Sequence, residues 1–244
     1  LNISAEEKIM YMVMKAIYDS NIPISFKGSM VLRACLLEAG YDDEMRHTVD
    51  IDANWNSDTA PSANQMVDAL QRAIEKSDID LDLDIRLYRM YGENRSAGFE
   101  LIERSTAEVL FTMDIDVNRP LSPTKIYEIE GIRFCGISPL QMVSDKIAAI
   151  STDKVFRRIK DVVDLYYISK IFKFNSLNVL NALQHSKRTL DSFQGFLYRP
   201  DDLRHSYEKF RFTGDVTKPP FEEIYQKVKA YIKDILPKDE QEPK

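Results

Sequence analysis

Up to about residue 138 apolar residues recur with a period of two in stretch after stretch, and from Pro139 onward with a period near 3.6. That single change of rhythm limits the chain more than any other feature. Alternation in IPISF, HTVDIDANW, DLDLDIRLYRM, AGFELIERS, AEVLFTMDIDVN and KIYEIEGIRFCGI (residues 125–137, bending at Gly131) predicts a sheet. Gly92, Glu93 and Asn94 mark a turn between two of these stretches. PLQMVSDKIAAIS, KVFRRIKDVVDLYYISKI and PFEEIYQKVKAYIKDIL are helical in period. The expectation is an α+β half over 1–138 and an α-helical half over 139–244, with the tail DEQEPK frayed. Helices also punctuate the first half. One starts at the Ser4/Glu7 capping box and ends near Asn21 before Pro23; MVLRACLLEAG stops at Gly40; Ser62 caps SANQMVDALQRAIEKS.

At 244 residues with 44% hydrophobic and 30% charged side chains, the chain can bury a substantial core. A net charge of -6 argues against a surface that coats nucleic acid indiscriminately, though not against a local basic patch. Cys35 and Cys135 lie in apolar patterns and read as buried thiols rather than a bridge or a metal pair. No apolar run reaches membrane-spanning length, and the first twenty residues lack the layout of a secretion signal, so a cytoplasmic protein is expected.

Within HTVDIDANW, Asp50 and Asp52 share one face of a strand while Val49 and Ile51 face the other way. Like charges held together call for a cation between them, and hard oxygen ligands with substrate phosphates suit Mg²⁺. An exposed strand with an acidic wet face would give the same pattern. A second such pair, Asp114 and Asp116, follows in FTMDIDVNRP, and the run Asp78, Asp80, Asp82 and Asp84 reads as a solvated strand approach. Ahead of the first pair stands FKGSMVLR. Gly28 permits close backbone approach at a strand-to-helix junction, and Ser29 with the helix start can receive phosphate or simply cap the helix. A third element is DKIAAISTDKVFRRIKDVVD. Lys146 lies on one helix, and Asp161 and Asp164, three apart on the next, share a face. A solvated helix laced by ion pairs, including Lys160 with Asp164, explains the same spacing. Lys154, Arg157, Arg158, Lys160, Lys170 and Lys173 concentrate positive charge and could meet an RNA backbone or solvent alone. Trp55 reads as a core or edge aromatic, and His47 receives no role.

In order and type, FKGSMVLR, HTVDIDANW, MDIDVNRP and SDKIAAI…RRIKDVVDLYYI resemble the AbiEii/AbiGii toxin family, a branch of the nucleotidyltransferase superfamily. The resemblance runs from about Phe26 to Tyr167, more loosely into PFEEIYQKVKAYI. It implies a nucleotidyltransferase-type mixed sheet with flanking helices, followed by a helical domain. It makes Gly28 and Ser29 the phosphate-binding motif, and Asp50 and Asp52 the metal-binding carboxylates. Lys146 becomes the lysine of the third motif, and Asp161 and Asp164 the acids of the fourth. Asp116 is placed ahead of Asp114 as a third carboxylate, and Arg46 corresponds to the arginine of an Arg-x-Thr-x-Asp run. The implied activity is Mg²⁺-dependent transfer of a nucleoside monophosphate from an NTP to an RNA, tRNA among the acceptors. The protein would be the toxin of a toxin–antitoxin or abortive-infection pair, with a cognate antitoxin as partner. A kinase-like phosphotransferase, or a non-catalytic interaction protein on the same fold, are the alternatives.

Overall fold

The computed structural model describes residues 3–41, 47–90, 96–213 and 216–236. Arg46, the turn at Gly92, Glu93 and Asn94, and the tail from Asp239 therefore lie outside the described residues. The chain divides into two compact units, one of Leu1–Glu38 and His47–Ile137, the other of Ala39–Arg46 and Ser138–Lys244.

The first unit opens with α1 (Ala5–Asp19), capped as expected. The Ser4 hydroxyl accepts from Glu7 N–H while the Glu7 carboxylate accepts from Ser4 N–H. Strand β1 (Ile24–Lys27) passes directly into α2 (Gly28–Glu38). Then come β2 (Asp50–Trp55) and α3 (Ala63–Glu75), capped by Ser62 and Gln65. Strands β3 (Leu83–Met90), β4 (Ser96–Glu103), β5 (Glu108–Asp116), β6 (Thr124–Ile129) and β7 (Ile132–Ile137) follow. All seven strands join one sheet in the order β3-β4-β5-β2-β1-β7-β6. It is mixed: β2 runs parallel to β5 and β1 parallel to β7, while the remaining neighbours are antiparallel.

The bend expected at Gly131 is sharper than a bend. Glu130 (φ 50°) and Gly131 (φ 78°) both take left-handed backbone, closing a two-residue hairpin between Ile129 and Ile132. Two consecutive positive φ values match the twist of the flanking strands, which is why the stretch splits into β6 and β7. Of the acidic run at 78–84, only Asp84 enters a strand; Asp82 and Asp84 pair with Arg104.

Alternation then sorts the sheet into two faces. Ile24 and Phe26, Ile51, Ala53 and Trp55, Phe99 and Leu101, and Met113 and Ile115 are buried on the apolar side. Tyr11 of α1 packs on Phe134 of β7, which also meets Phe26 and Tyr127. Val31 of α2 reaches Gly136. Trp55 is buried, in keeping with a core role, and Cys35 and Cys135 are free thiols.

The second unit is helical: α4 (Pro139–Ile150), a 3-10 turn (Val155–Arg158), α5 (Ile159–Ile171), α6 (Ser176–His185), α7 (Gln194–Tyr198), α8 (Pro200–Lys209) and α9 (Phe221–Ile235). Ser138 caps α4, with Pro139 at its first position. Helix α5 is the hub, buried from Val162 to Ser169 and packed against both α4 and α9. No described helix is long and apolar enough to cross a membrane.

Candidate active site

The polar face of the sheet gathers the acids of the first unit. Residues paired across neighbouring strands share a face. Register sets Lys27 opposite Asp52 and Ser25 opposite Asn54 on one side of β2. On the other side Asp50 faces Thr112, Asp52 faces Asp114 and Asn54 faces Asp116. Both aspartate pairs therefore lie on one surface, on adjacent strands whose spacing is about 4.8 Å.

The β1–α2 junction closes over this surface. Gly28 adopts φ +72°, a conformation that side chains seldom take. A Cβ there would stand 2.5 Å from Asp52 Oδ2. Glycine is thus required twice, for the turn and for the approach of the carboxylate, and the helix start lies against Asp52. Ser29, one residue on, is buried.

Partners of the acids differ. The Thr48 hydroxyl lies 3.0 Å from Asp50 Oδ1. Arg89 donates to both oxygens of Asp114, at 2.9 and 2.8 Å, and Gly98 leaves room for the Tyr88 ring beside them. Asp116 accepts from Lys27 Nζ at 2.8 Å and from the Ser96 hydroxyl, with Arg119 3.4 Å away. Burial works against the charge of Asp116, but Lys27, Ser96 and Arg119 outweigh it and hold the carboxyl below its usual range. Asp116, taken from the sequence as third carboxylate, lies opposite Asn54 and pairs with Lys27 and Arg119, while Asp114 lies opposite Asp52 and pairs with Arg89. Among the described residues no group of three or more histidine, cysteine, aspartate or glutamate side chains is clustered closely enough for a metal ion. Two carboxylates suffice where substrate phosphates complete the shell, and that is the donor set Asp50 and Asp52 offer.

Lys27 is the residue the sequence reading missed. Its ammonium donates to Asn54 Oδ1 at 2.7 Å as well as to Asp116, tying β1, β2 and β5 together beside the Gly28 turn. Its signal was present: a lysine immediately before the Gly-Ser pair at the end of a strand.

In the second unit Lys146 Nζ donates to Asp164 at 2.6 Å and Asp161 at 3.2 Å. Lys146 is 7% exposed and Asp164 0%. Desolvation opposes the ammonium, yet Asp164 and then Asp161 more than compensate and raise its pKa above the ordinary lysine value. Arg158 adds a second cation to Asp161 at 2.8 Å. Asp164 sits on the buried stripe of α5 and pairs there with Lys146. The basic concentration is partly absorbed as well: Arg158 pairs with Asp161, and Lys170 lies 4.6 Å over the Tyr166 ring.

The sequence model of a nucleotidyltransferase toxin family, AbiEii of type IV toxin–antitoxin systems, matches residues 13–227. This chain belongs to the AbiEii family. The family resemblance read from the motifs is thereby established, and with it the general activity of a nucleotidyltransferase toxin. No curated protein matches the chain. Among solved structures, MenT4, a nucleotidyltransferase toxin from Mycobacterium tuberculosis, is similar with a TM-score of 0.60 at 16% identity, over 96% of this chain and 85% of that one. That likeness is one of fold. An antigenic nucleotidyltransferase-like protein from Paracoccidioides brasiliensis also matches, with a TM-score of 0.46 at 14% identity over 87% of this chain and 96% of that one.

Proposed function

We propose that this AbiEii-family protein transfers a nucleoside monophosphate from an NTP to an RNA hydroxyl, with Mg²⁺ held by Asp50 and Asp52. The observation that carries the reading is the contact of the Gly28 turn with the Asp52 carboxylate, which sets a phosphate-receiving helix start against an acid pair. Bound Mg²⁺ would offset charge on the triphosphate and favour loss of the acceptor proton.

The chain's own groups do the positioning. The Gly28 turn and the Ser29 hydroxyl receive the phosphate tail, and Asp50 or Asp52 takes the proton from the attacking hydroxyl. The acceptor oxygen then bonds to the α-phosphorus as the bond to pyrophosphate breaks, a displacement governed mainly by orientation and charge. A third carboxylate, where a second ion binds, would come from β5, where we keep Asp116 ahead of Asp114 on the face that Asp50 and Asp52 share. Lys146, kept charged by Asp164 and Asp161, is the cation we assign to the triphosphate. The type IV toxin–antitoxin family supports a cognate antitoxin as partner, and a tRNA is among the acceptors proposed.

Purified protein incubated with total RNA and each NTP, labelled in turn at the α or γ position, tests the reading. Label from the α position entering RNA is the expected result. Transfer of γ label alone would make the protein a phosphotransferase and overturn the proposal.

A further inference from the structure

We propose that Glu7 of α1 is a positioning residue for Asp50, acting through Thr48. The inference rests on the assignment of Asp50 as a metal ligand and extends it to a residue that precedes the family match at residues 13–227.

Glu7 does more than a helix cap requires. Its Oε2 accepts from Ser4 N–H at 3.3 Å and stands 3.3 Å from His47 Nδ1. Its Oε1 accepts from Thr48 N–H at 3.5 Å and lies 3.9 Å from Arg33 Nε. The carboxylate is 0% exposed. The second capping box of the same unit provides the contrast. At α3 the equivalent position holds Gln65, neutral and exposed, and the helix is capped just as well. A buried carboxylate carries a desolvation cost that capping alone does not demand. What Glu7 adds over Gln65 is a hold on residues 47 and 48, the lead-in to β2.

Thr48 hands that hold onward. Itself buried, it places its hydroxyl 3.0 Å from Asp50 Oδ1 and 3.2 Å from the Asp50 carbonyl. A hydroxyl donated to one carboxylate oxygen fixes rotation of the group and so the direction in which it meets a cation. Outer partners of this kind shift metal affinity by about 10–100-fold when removed. The order of contacts is therefore Glu7, Thr48 backbone, Thr48 hydroxyl, Asp50.

Mn²⁺ titrations of the full chain, followed by water-proton relaxation, test this on wild type, D50N, T48V, T48S, E7Q and E7D. Thermal melts of each variant establish that it is folded at the titration temperature. Valine matches threonine in shape and lacks only the hydroxyl, so T48V is expected to weaken Mn²⁺ binding about tenfold. T48S should restore it. E7Q should weaken binding severalfold, and E7Q combined with T48V should be no worse than T48V alone, because both act along one path. E7D, which keeps the charge but withdraws the oxygens, supplies the same readout if E7Q does not fold. Wild-type Mn²⁺ affinity in T48V beside a loss in D50N would overturn the positioning role alone. Additive effects of E7Q and T48V would also overturn it, by giving Glu7 another route. Unchanged affinity in D50N would overturn the metal assignment itself and this inference with it.

Discussion

The two polar centres of this protein are assembled by opposite means. On the sheet, Asp50, Asp52, Asp114 and Asp116 are arrayed by alternation and register, and the backbone holds like charges side by side at half-buried positions. In the helical unit, Lys146 and Asp164 are buried together, with Asp161 at the margin. Asp114 and Asp116 are tied to Arg89, Lys27 and Arg119, whereas Asp50 and Asp52 on the same half-buried face are suited to gathering a cation. A buried ion pair must be complete, because a lone charge left in the interior is costly. Loss of one acid should therefore cost chemistry in the first centre and folding in the second.

The sharpest way to break that contrast is Asp50→Asn. Nucleotidyl transfer should fall about a thousandfold, the scale of removing a preorganised charged group, while the melting temperature stays close to wild type. A large drop in melting temperature would make the sheet acids structural. Next comes Lys146→Ala, expected to cost about 3–5 kcal/mol in chemical denaturation by stranding Asp164. The double change K146M/D164L should recover most of that stability without restoring transfer. Because the Lys146 pKa is raised on folding, its contribution is complete below the unfolded lysine value and is lost only as pH rises through the folded one. The gap between wild type and K146A should accordingly be flat from about pH 6 to 9.

Gly28→Ala tests the junction between fold and chemistry. Its positive φ and the 2.5 Å approach to Asp52 should cost about 1–3 kcal/mol, and nucleotide binding should weaken along with stability. The smallest effect is expected from Lys27→Met. Asp116, whose carboxyl is held low largely by Lys27, should titrate at higher pH by carbon-detected NMR. A depressed carboxylate stabilises above its unfolded pKa of about 3.9 and stops doing so as pH falls through the folded value. The small stabilisation that Lys27 lends through Asp116 should thus be missing from K27M at neutrality, and the gap to wild type should close as pH falls through the folded value.

Much of this was written in short-range patterns. Period two marked six stretches that hold the seven strands, and the Ser4/Glu7 capping box and the Ser62 cap fixed the starts of α1 and α3. Gly28 with Ser29, and Asp50 with Asp52, announced themselves because a turn and a strand face are local geometries. The hairpin at Glu130 and Gly131 was legible only as a bend, since the sequence shows a glycine but not that the preceding glutamate also turns left-handed. Which partner each charge would take was not legible. Spacing offered Lys160 to Asp164, whereas the pairing with Lys146 on another helix follows from burial of one stripe of α5.

By itself, then, the sequence determined the elements, their faces and the family, because backbone hydrogen bonding and side-chain periodicity act within a few residues. Only the tertiary structure decided that β2 lies between β1 and β5, and so set Asp114 beside Asp52 and gave Asp116 to Lys27. It likewise brought Glu7 to Thr48 across forty-one positions of chain. Strand order and register are chosen by how the whole apolar face packs, a sum over residues far apart in sequence that no local pattern encodes.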